Sequence, residues 1–209
     1  MPVIKVAYNP DFAPFSKRGD GKPQGLIIER LKEIFATSNI QFNFIATNLP
    51  ELIPNMEKGK VDAVAALGIT PERQEKYQFT KPIIISGGAW FIPKSNRMLA
   101  EGEVPTSVIT PERGPLANEI KNKYPEIDLI TCADYDAAFK GALEGKALAA
   151  ALNWHVGRMM VEDKYQNQFH ETKRPYNTLA LGLAVLKKNS DLITHINKNI
   201  PDDWGYDPI

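Results

Sequence analysis

The residues best placed to do chemistry lie in one short run, Gly68-Ile69-Thr70-Pro71-Glu72-Arg73. An apolar segment, Val61 to Ala66, leads into it and is short enough to be a buried parallel strand. Thr70 is a residue type that caps helices. Pro71 falls at the first helical position, where a missing N–H costs nothing. Glu72 complements the positive end of the helix. Arg73 then stands one turn inside, at the carboxyl end of a strand, where open α/β sheets bind ligands. Free N–H groups, a helix dipole and a guanidinium fork together suit a carboxylate or a phosphate. A well-capped helix start with a solvent-facing Arg73 explains the same letters, and both readings stand at this point.

The string recurs as Ile109-Thr110-Pro111-Glu112-Arg113, followed by Gly114-Pro115-Leu116. If both turns face one ligand, two arginines and two helix ends converge and favour a dianion. The alternative is a chance match, with Arg113 in solvent. Trp154 follows Asn153 at the end of an apolar run, placed either to stack on a ligand or to pack at the start of the next helix. A lone His155 is more often structural than functional. The single Cys132 excludes an internal disulfide and a cysteine zinc site. With His155, His170 and His195 scattered, no metal cluster is readable, and no cofactor is expected. Glu29, Asp11 and Glu112 are conceivable general acids. No nucleophile–base constellation accompanies them.

These residues need elements to hold them. The chain has 209 residues, 43% apolar, 24% charged and 9% aromatic, which suffices for a buried core. Lys plus Arg and Asp plus Glu are 25 each, so there is no basic excess of the kind nucleic-acid binders show. No run approaches the roughly 18 apolar residues of a membrane helix. Strand and helix patterns alternate: Val3–Tyr8 as a strand, Asn9–Lys22 as a loop, and a helix through Leu26, Leu31 and Phe35. Phe42–Ile45 is a strand. A helix capped by Asn48 and ended by Gly59 follows, then the strand Val61–Ala66. Thr106–Ile109, Leu129–Cys132 and Leu148–Leu152 repeat the strand grammar, with helices between them. Ala180–Leu186 is a late strand, and Asp191–Ile200 a final helix. Two βαβαβ-like units predict an α/β fold in two lobes. Ile85-Ser86-Gly87-Gly88 and Tyr176-Asn177-Thr178 are the candidate junctions, Gly-Gly being suited to a turn or a flexing point.

Several segments, in register, carry a resemblance. They are Val6 to Phe15, Gly25-Leu26-Ile27-Ile28-Glu29, Val61-Asp62-Ala63-Val64, Gly68 to Arg73, Phe79-Thr80-Lys81-Pro82, and Asp134 to Ala151. In these the chain closely resembles the bacterial extracellular solute-binding proteins of the polar amino acid class, the type II periplasmic binding proteins of ABC importers. The resemblance covers nearly the whole chain. It implies a two-lobe Venus flytrap fold, each lobe a βαβ-based sheet with flanking helices. The expected lobes are 1–86 plus 179–209, and 87–178. It implies a ligand closed between the lobes, which shifts an open population to a closed one.

Residue by residue, the resemblance makes Arg73 the carboxylate-binding arginine and gives Gly68 a backbone facing that carboxylate. It places Phe12 against the ligand. Ala65 and Ala66 stand where relatives often have Ser, and Leu49 where a stacking aromatic is common. Asn9 stands where many amino-acid binders have Asp, and Asn153 where the second lobe supplies the Asp that grips the α-ammonium. Thr110 and Arg113 fall in the turn that offers the ligand backbone N–H groups. The site thus keeps its anion end and loses its cation end. A desolvated ammonium left unpaired costs several kcal/mol on an order-of-magnitude scale, so an ordinary α-amino acid is not the expected best ligand unless Asp11 or Glu112 replaces the lost acid.

The expected function is extracytoplasmic binding of a small, carboxylate-bearing and even dianionic solute by a monomer that delivers it to an ABC permease in the membrane. The alternatives are a ligand-sensing domain of a membrane receptor such as a histidine kinase, or a dehydratase of the cyclohexadienyl type working in the same cleft. A periplasmic or extracellular location rests on the resemblance. The chain starts in its first strand without a signal peptide, as a cytosolic protein or a trimmed mature form does. Its short ending after Ile200 suits either a clipped binding protein or a domain of a longer chain.

Overall fold

In the computed structural model, which describes residues 3–112 and 115–202, the first apolar run forms β1 (Ile4–Tyr8). The stretch expected as a loop instead folds into a small antiparallel sheet of β2 (Asp11–Phe12), β3 (Ser16–Gly19) and β4 (Lys22–Gln24). Asp20 and Gly21 have φ of 50° and 75° and separate the paired Gly19 and Lys22. Asp-Gly with both φ positive is the favoured two-residue hairpin turn, because its twist matches that of the strands. Gly25 follows at φ 122°, where an added Cβ would sit 2.6 Å from the Phe15 carbonyl oxygen. Helix α1 (Leu26–Thr37) then buries Ile27, Ile28, Leu31, Ile34 and Phe35. Each such side chain contributes about 1.5–3 kcal/mol when fully buried.

Strand β5 (Phe42–Ala46) runs parallel to β1, with Ile4 opposite Phe42. Asn48 stands at the start of a 3-10 turn, Leu49–Glu51, but its side chain makes no capping bond. Capping needs an N–H two or three residues on. Pro50 has none, and the Glu51 N–H already donates to the Asn48 main-chain oxygen at 2.9 Å. Helix α2 (Leu52–Glu57) follows, and Gly59, at φ 70°, ends it as expected. Strand β6 (Ala63–Gly68) is buried throughout and lies parallel to β1. Helix α3 (Pro71–Lys76) leads to two short strands that the alternation does not reveal, β7 (Tyr77–Phe79) and β8 (Ile84–Ser86).

The second unit begins with β9 (Gly88–Phe91). It continues through β10 (Ser107–Pro111), α4 (Pro115–Lys123), β11 (Asp128–Cys132), α5 (Tyr135–Leu143), β12 (Ala149–Asn153) and α6 (Trp154–Asp163). Its sheet has the order β11-β10-β12-β9, with only β9 antiparallel to its neighbour. Asp134 caps α5 by accepting from Ala137 N at 2.8 Å. Phe91, Ile109, Phe139, Tyr165 and Phe169 belong to one buried cluster of this unit, and Val108, Ile120, Ile127, Ala149 and Ala151 to another.

The chain then returns as β13 (Leu179–Leu186) and α7 (Ser190–Asn197). Strand β13 inserts antiparallel between β6 and β7, giving β5-β1-β6-β13-β7 with β8 also on β13. One compact unit therefore runs to Ile85 and resumes at Leu179, and the other spans Ser86–Thr178. The Gly87-Gly88 pair, expected as a junction where the chain turns or flexes, lies beside the boundary of the units and also serves close approach. A Cβ on Gly87 would run into the Asn177 carbonyl, and one on Gly88 into the Tyr176 hydroxyl. Tyr176 N donates to Gly88 O at 2.8 Å, and Gly88 N donates to Asn177 Oδ1.

Candidate functional site

In the first unit the chemistry gathers where β6 ends. Leu67 pairs with Gly182 and Val64 with Ala184, so Ala65 and Ala66 together oppose Leu183 in a bulge. Ala66 carries it at φ 58°, a left-handed conformation that costs an L-residue about 1–2 kcal/mol. Such strain collects at functional edges. Beyond the bulge, Gly68 O accepts from Arg73 Nη1 at 2.9 Å, and Thr70 Oγ1 accepts from Arg73 N at 3.4 Å. Arg73 is thus held at its main chain and at its guanidinium. A Cβ on Gly68 would lie 3.1 Å from that nitrogen, so glycine leaves the arginine its place. Arg73 is half-buried and forms no ion pair among the described residues. Its guanidinium carries five N–H donors, which leaves most of the fork for an anion. The helix behind it is only six residues long. The expected dipole contribution is therefore slight, and the attraction rests on the guanidinium.

Asn9, Phe12 and Leu49 lie near the carboxyl ends of β1 and β5. Asn9 Oδ1 accepts from Asp11 N at 3.0 Å, and Asn9 O accepts from Ser16 Oγ at 2.7 Å, so its carboxamide oxygen shapes a turn. Phe12 is half-buried, with its ring 4.9 Å from that of Phe15 at 45°. Leu49 is 67% exposed. A cavity of about 380 Å³ opens here, lined by Pro10, Asp11, Arg18, Ala46 and Asn48. Asp11 and Arg18 both line it. Arg18 went unnoticed in the sequence because its hairpin reads as loop, and the Asp20-Gly21 pair was the signal for that hairpin.

In the second unit the repeated string behaves differently from the first. Thr110 and Pro111 are strand residues, paired with Thr131 and Cys132 of β11. The Thr110 hydroxyl is fully buried and donates to Ala151 O at 2.7 Å, so it cannot serve a ligand. The string is extended because Val108 and Ile109 continue it as a buried strand, and the helix starts only at Pro115. Glu112 is exposed, with its N–H on Cys132 O at 2.9 Å. Arg113 lies outside the described residues.

Asn153 ends β12 and caps α6, accepting from Val156 N at 3.2 Å. Its Nδ2 donates to Ser86 Oγ at 3.1 Å, and His155 Nδ1 lies 2.8 Å from the same hydroxyl. The fully buried Ser86 thus ties Asn153 to His155. This link spans distant parts of the chain, and nothing in the local sequence announces it. Burial pushes the Tyr135 phenol up, and the Asn153 main chain at its hydroxyl partly offsets the shift. Trp154 donates its indole N–H to Thr172 O at 2.9 Å, and Arg158 lies 5.2 Å from the centre of its ring. Its side chain is a packing element against the core cluster of Phe91 and Phe139.

Among the described residues no group of His, Cys, Asp and Glu could hold a metal ion, and no helix is long and apolar enough to cross a membrane. The family model for bacterial extracellular solute-binding proteins, family 3, matches residues 4–202. The chain is 33% identical over 98 residues to a probable histidine-binding protein of Campylobacter jejuni, a match over 46% of this chain and 38% of the relative. It is 23% identical over 219 residues to the L-cystine-binding protein TcyJ of Escherichia coli, covering 96% of this chain and 77% of that one. Among solved structures, the unliganded open L-cystine solute receptor of Neisseria gonorrhoeae aligns at TM-score 0.78 and 17% identity, over 94% of this chain and 84% of the receptor. The periplasmic VFT2 domain of Bordetella pertussis BvgS aligns at TM-score 0.74 and 20% identity, over 97% and 89%. These likenesses establish the Venus flytrap fold.

Proposed function

The chain belongs to the bacterial extracellular solute-binding proteins of family 3, and from that premise we propose that it captures a small carboxylate-bearing solute for delivery to an ABC permease. Membership places it outside the cytoplasm. The observation that carries the reading is Arg73, positioned by Thr70 and Gly68 and without an ion pair among the described residues. A half-buried guanidinium held in one geometry is a prepared partner for a carboxylate, which it binds through two parallel N–H···O bonds.

Relatives named for histidine and cystine make amino acids the ligands against which this reading is measured. The positions that would grip an α-ammonium are Asn9 and Asn153, and both carboxamides are engaged within the protein. We therefore favour a carboxylate whose recognition does not depend on a charged amino group. The Thr110 hydroxyl adds nothing to the dianion expectation, which rests on Arg113, outside the described residues.

Calorimetry of the purified protein against amino acids, monocarboxylates and dicarboxylates tests this. Binding of a carboxylate should fall by about 2–5 kcal/mol in Arg73→Ala, beyond a hundredfold at the middle of that range. Full affinity in that variant overturns the anion site. A receptor module would bind the same ligand. Ligand-dependent stimulation of a permease's ATPase by the loaded protein separates the two roles.

A further inference from the structure

The second unit contains a cavity of about 570 Å³ that none of the ligand-site residues above lines. Small-molecule pockets run from about 300 to 1,000 Å³. Trp90, Ile92, Met98, Val104, Tyr124 and Tyr176 supply its apolar lining. It lies toward the amino-terminal end of β10, since Val104 precedes that strand and Tyr124 follows α4. Within the same unit, Asn153 stands at the opposite, carboxyl end of β12, which runs parallel to β10.

Its wall is rigid and aromatic. Trp90 and Tyr176 stack with centroids 3.8 Å apart at 12°, and Tyr124 meets each edge-on at 6.0 Å. The stack is anchored by its own main chain: Thr172 Oγ1 donates to Trp90 O at 3.2 Å, and Tyr176 N donates to Gly88 O. Rings fixed in this way lose little entropy on meeting a flat ligand, and aromatic pairs add about 0.5–1.5 kcal/mol beyond area burial. Met98 is 52% exposed beside them, an adaptable thioether of the kind that lines permissive sites.

The charged residues of the lining are Glu101, Glu103, Glu171, Lys173 and Arg174. Arg174 pairs with Glu101, and Glu103 is paired from outside the lining by Arg97, through Nη1 at 3.0 Å. The remaining two, Lys173 and Glu171, are one base and one acid, with no net formal charge between them. Nothing in the rim selects a net charge, while the wall selects planarity and low polarity. We propose that this cavity is a second binding site, for a planar, uncharged aromatic molecule.

Titration with N-phenyl-1-naphthylamine, an uncharged planar fluorophore, tests it. The full chain should give a saturable fluorescence rise at a stoichiometry of about one. Anionic 1-anilinonaphthalene-8-sulfonate should bind more weakly. Ala100→Trp fills the cavity from an exposed position, and Met98→Glu places a charge at its edge. Each should weaken the uncharged probe about tenfold, equivalent to about 1.4 kcal/mol, with the melting temperature unchanged. No saturable signal, equal affinity in both folded variants, or tighter binding of the anionic probe overturns the proposal.

Discussion

Asn153→Asp tests the charge argument at the second unit directly. Asn153 Oδ1 accepts from Val156 N at 3.2 Å, and this cap turns Nδ2 toward Ser86, to which it donates at 3.1 Å. A carboxylate keeps the cap. At the start of a ten-residue helix its negative charge adds about 0.3–1 kcal/mol. The Nδ2 donor is lost, but the Ser86 hydroxyl can reverse and donate to the carboxylate. Ser86 has a single proton to give, so its oxygen must then accept from His155 Nδ1, now 2.8 Å away. Gain and loss nearly cancel, and stability should stay within about 1 kcal/mol. Affinity for α-amino acids should move further. A charge-assisted hydrogen bond to an ammonium contributes about 1.5–3 kcal/mol, or about 10–150-fold. Calorimetry of histidine, cystine and arginine against both proteins reads this, with urea unfolding as the control. A folded variant that gains no affinity for any of them refutes the placement of the ammonium at this edge. Tight binding of an ordinary amino acid by the unaltered protein refutes the argument from neutrality.

Gly87→Ala should destabilise by about 1–3 kcal/mol through overpacking, since its Cβ meets the Asn177 main chain, with Asn177 C at 2.8 Å and the carbonyl oxygen closer. A lower urea midpoint at unchanged slope is the readout. Thr70→Ala removes a cap worth about 0.5–2 kcal/mol and frees the Arg73 main chain. Carboxylate affinity should fall with stability, and Thr70→Ser should restore both. Burial first, then the Glu57 hydrogen bond and its charge, push the Tyr77 phenol up to about 12 from 10, against an opposing effect of Arg73. A phenol whose folded value is raised stabilises fully below the unfolded value and loses that contribution as pH climbs from 10 to about 12. Unfolding measured along that alkaline limb should flatten in Tyr77→Phe.

Legibility followed the range of the interactions. The α1 stripe, the Thr70-Pro71 helix start and the Gly59 stop are local, and their residues declared them. The Asp20-Gly21 turn is equally local, but the prolines and glycines between Asn9 and Lys22 favour a loop over the hairpin it makes. Gly87-Gly88 shows a different limit. The letters allow both flexing and close approach, and only the position of Tyr176 and Asn177, far along the chain, reveals the close approach. The two copies of Thr-Pro-Glu-Arg show it again. One starts a helix and the other begins in a strand, because β11 pairs with Thr110 and Pro111. Likewise, no propensity places Ala66 at φ 58°. The bulge against Leu183 imposes it. Arg73 was legible as a candidate; its contact with Gly68 O and its freedom from ion pairs among the described residues were not.

That freedom bears on how binding is driven. The ion pairs of the described residues, such as Lys32–Glu29 and Lys123–Glu119, engage partly or largely exposed cations, where pairing contributes at most about 1 kcal/mol. Arg73 is the contrasting case: half-buried, its nitrogen 2.9 Å from a carbonyl oxygen, with no paired carboxylate among the described residues. Part of its hydration is already lost in the folded protein, and its geometry is already fixed by Thr70 and Gly68. On the proposed reading, an incoming carboxylate would supply the missing charge without ordering the arginine, which is the usual source of affinity in a preorganised site. At the other unit, Asn153 spends its carboxamide on a helix cap and on Ser86, leaving no net charge to reward an ammonium. Selectivity should accordingly follow the anion, with changes at Arg73 altering every ligand and changes at Asn153 altering only those that carry an amino group.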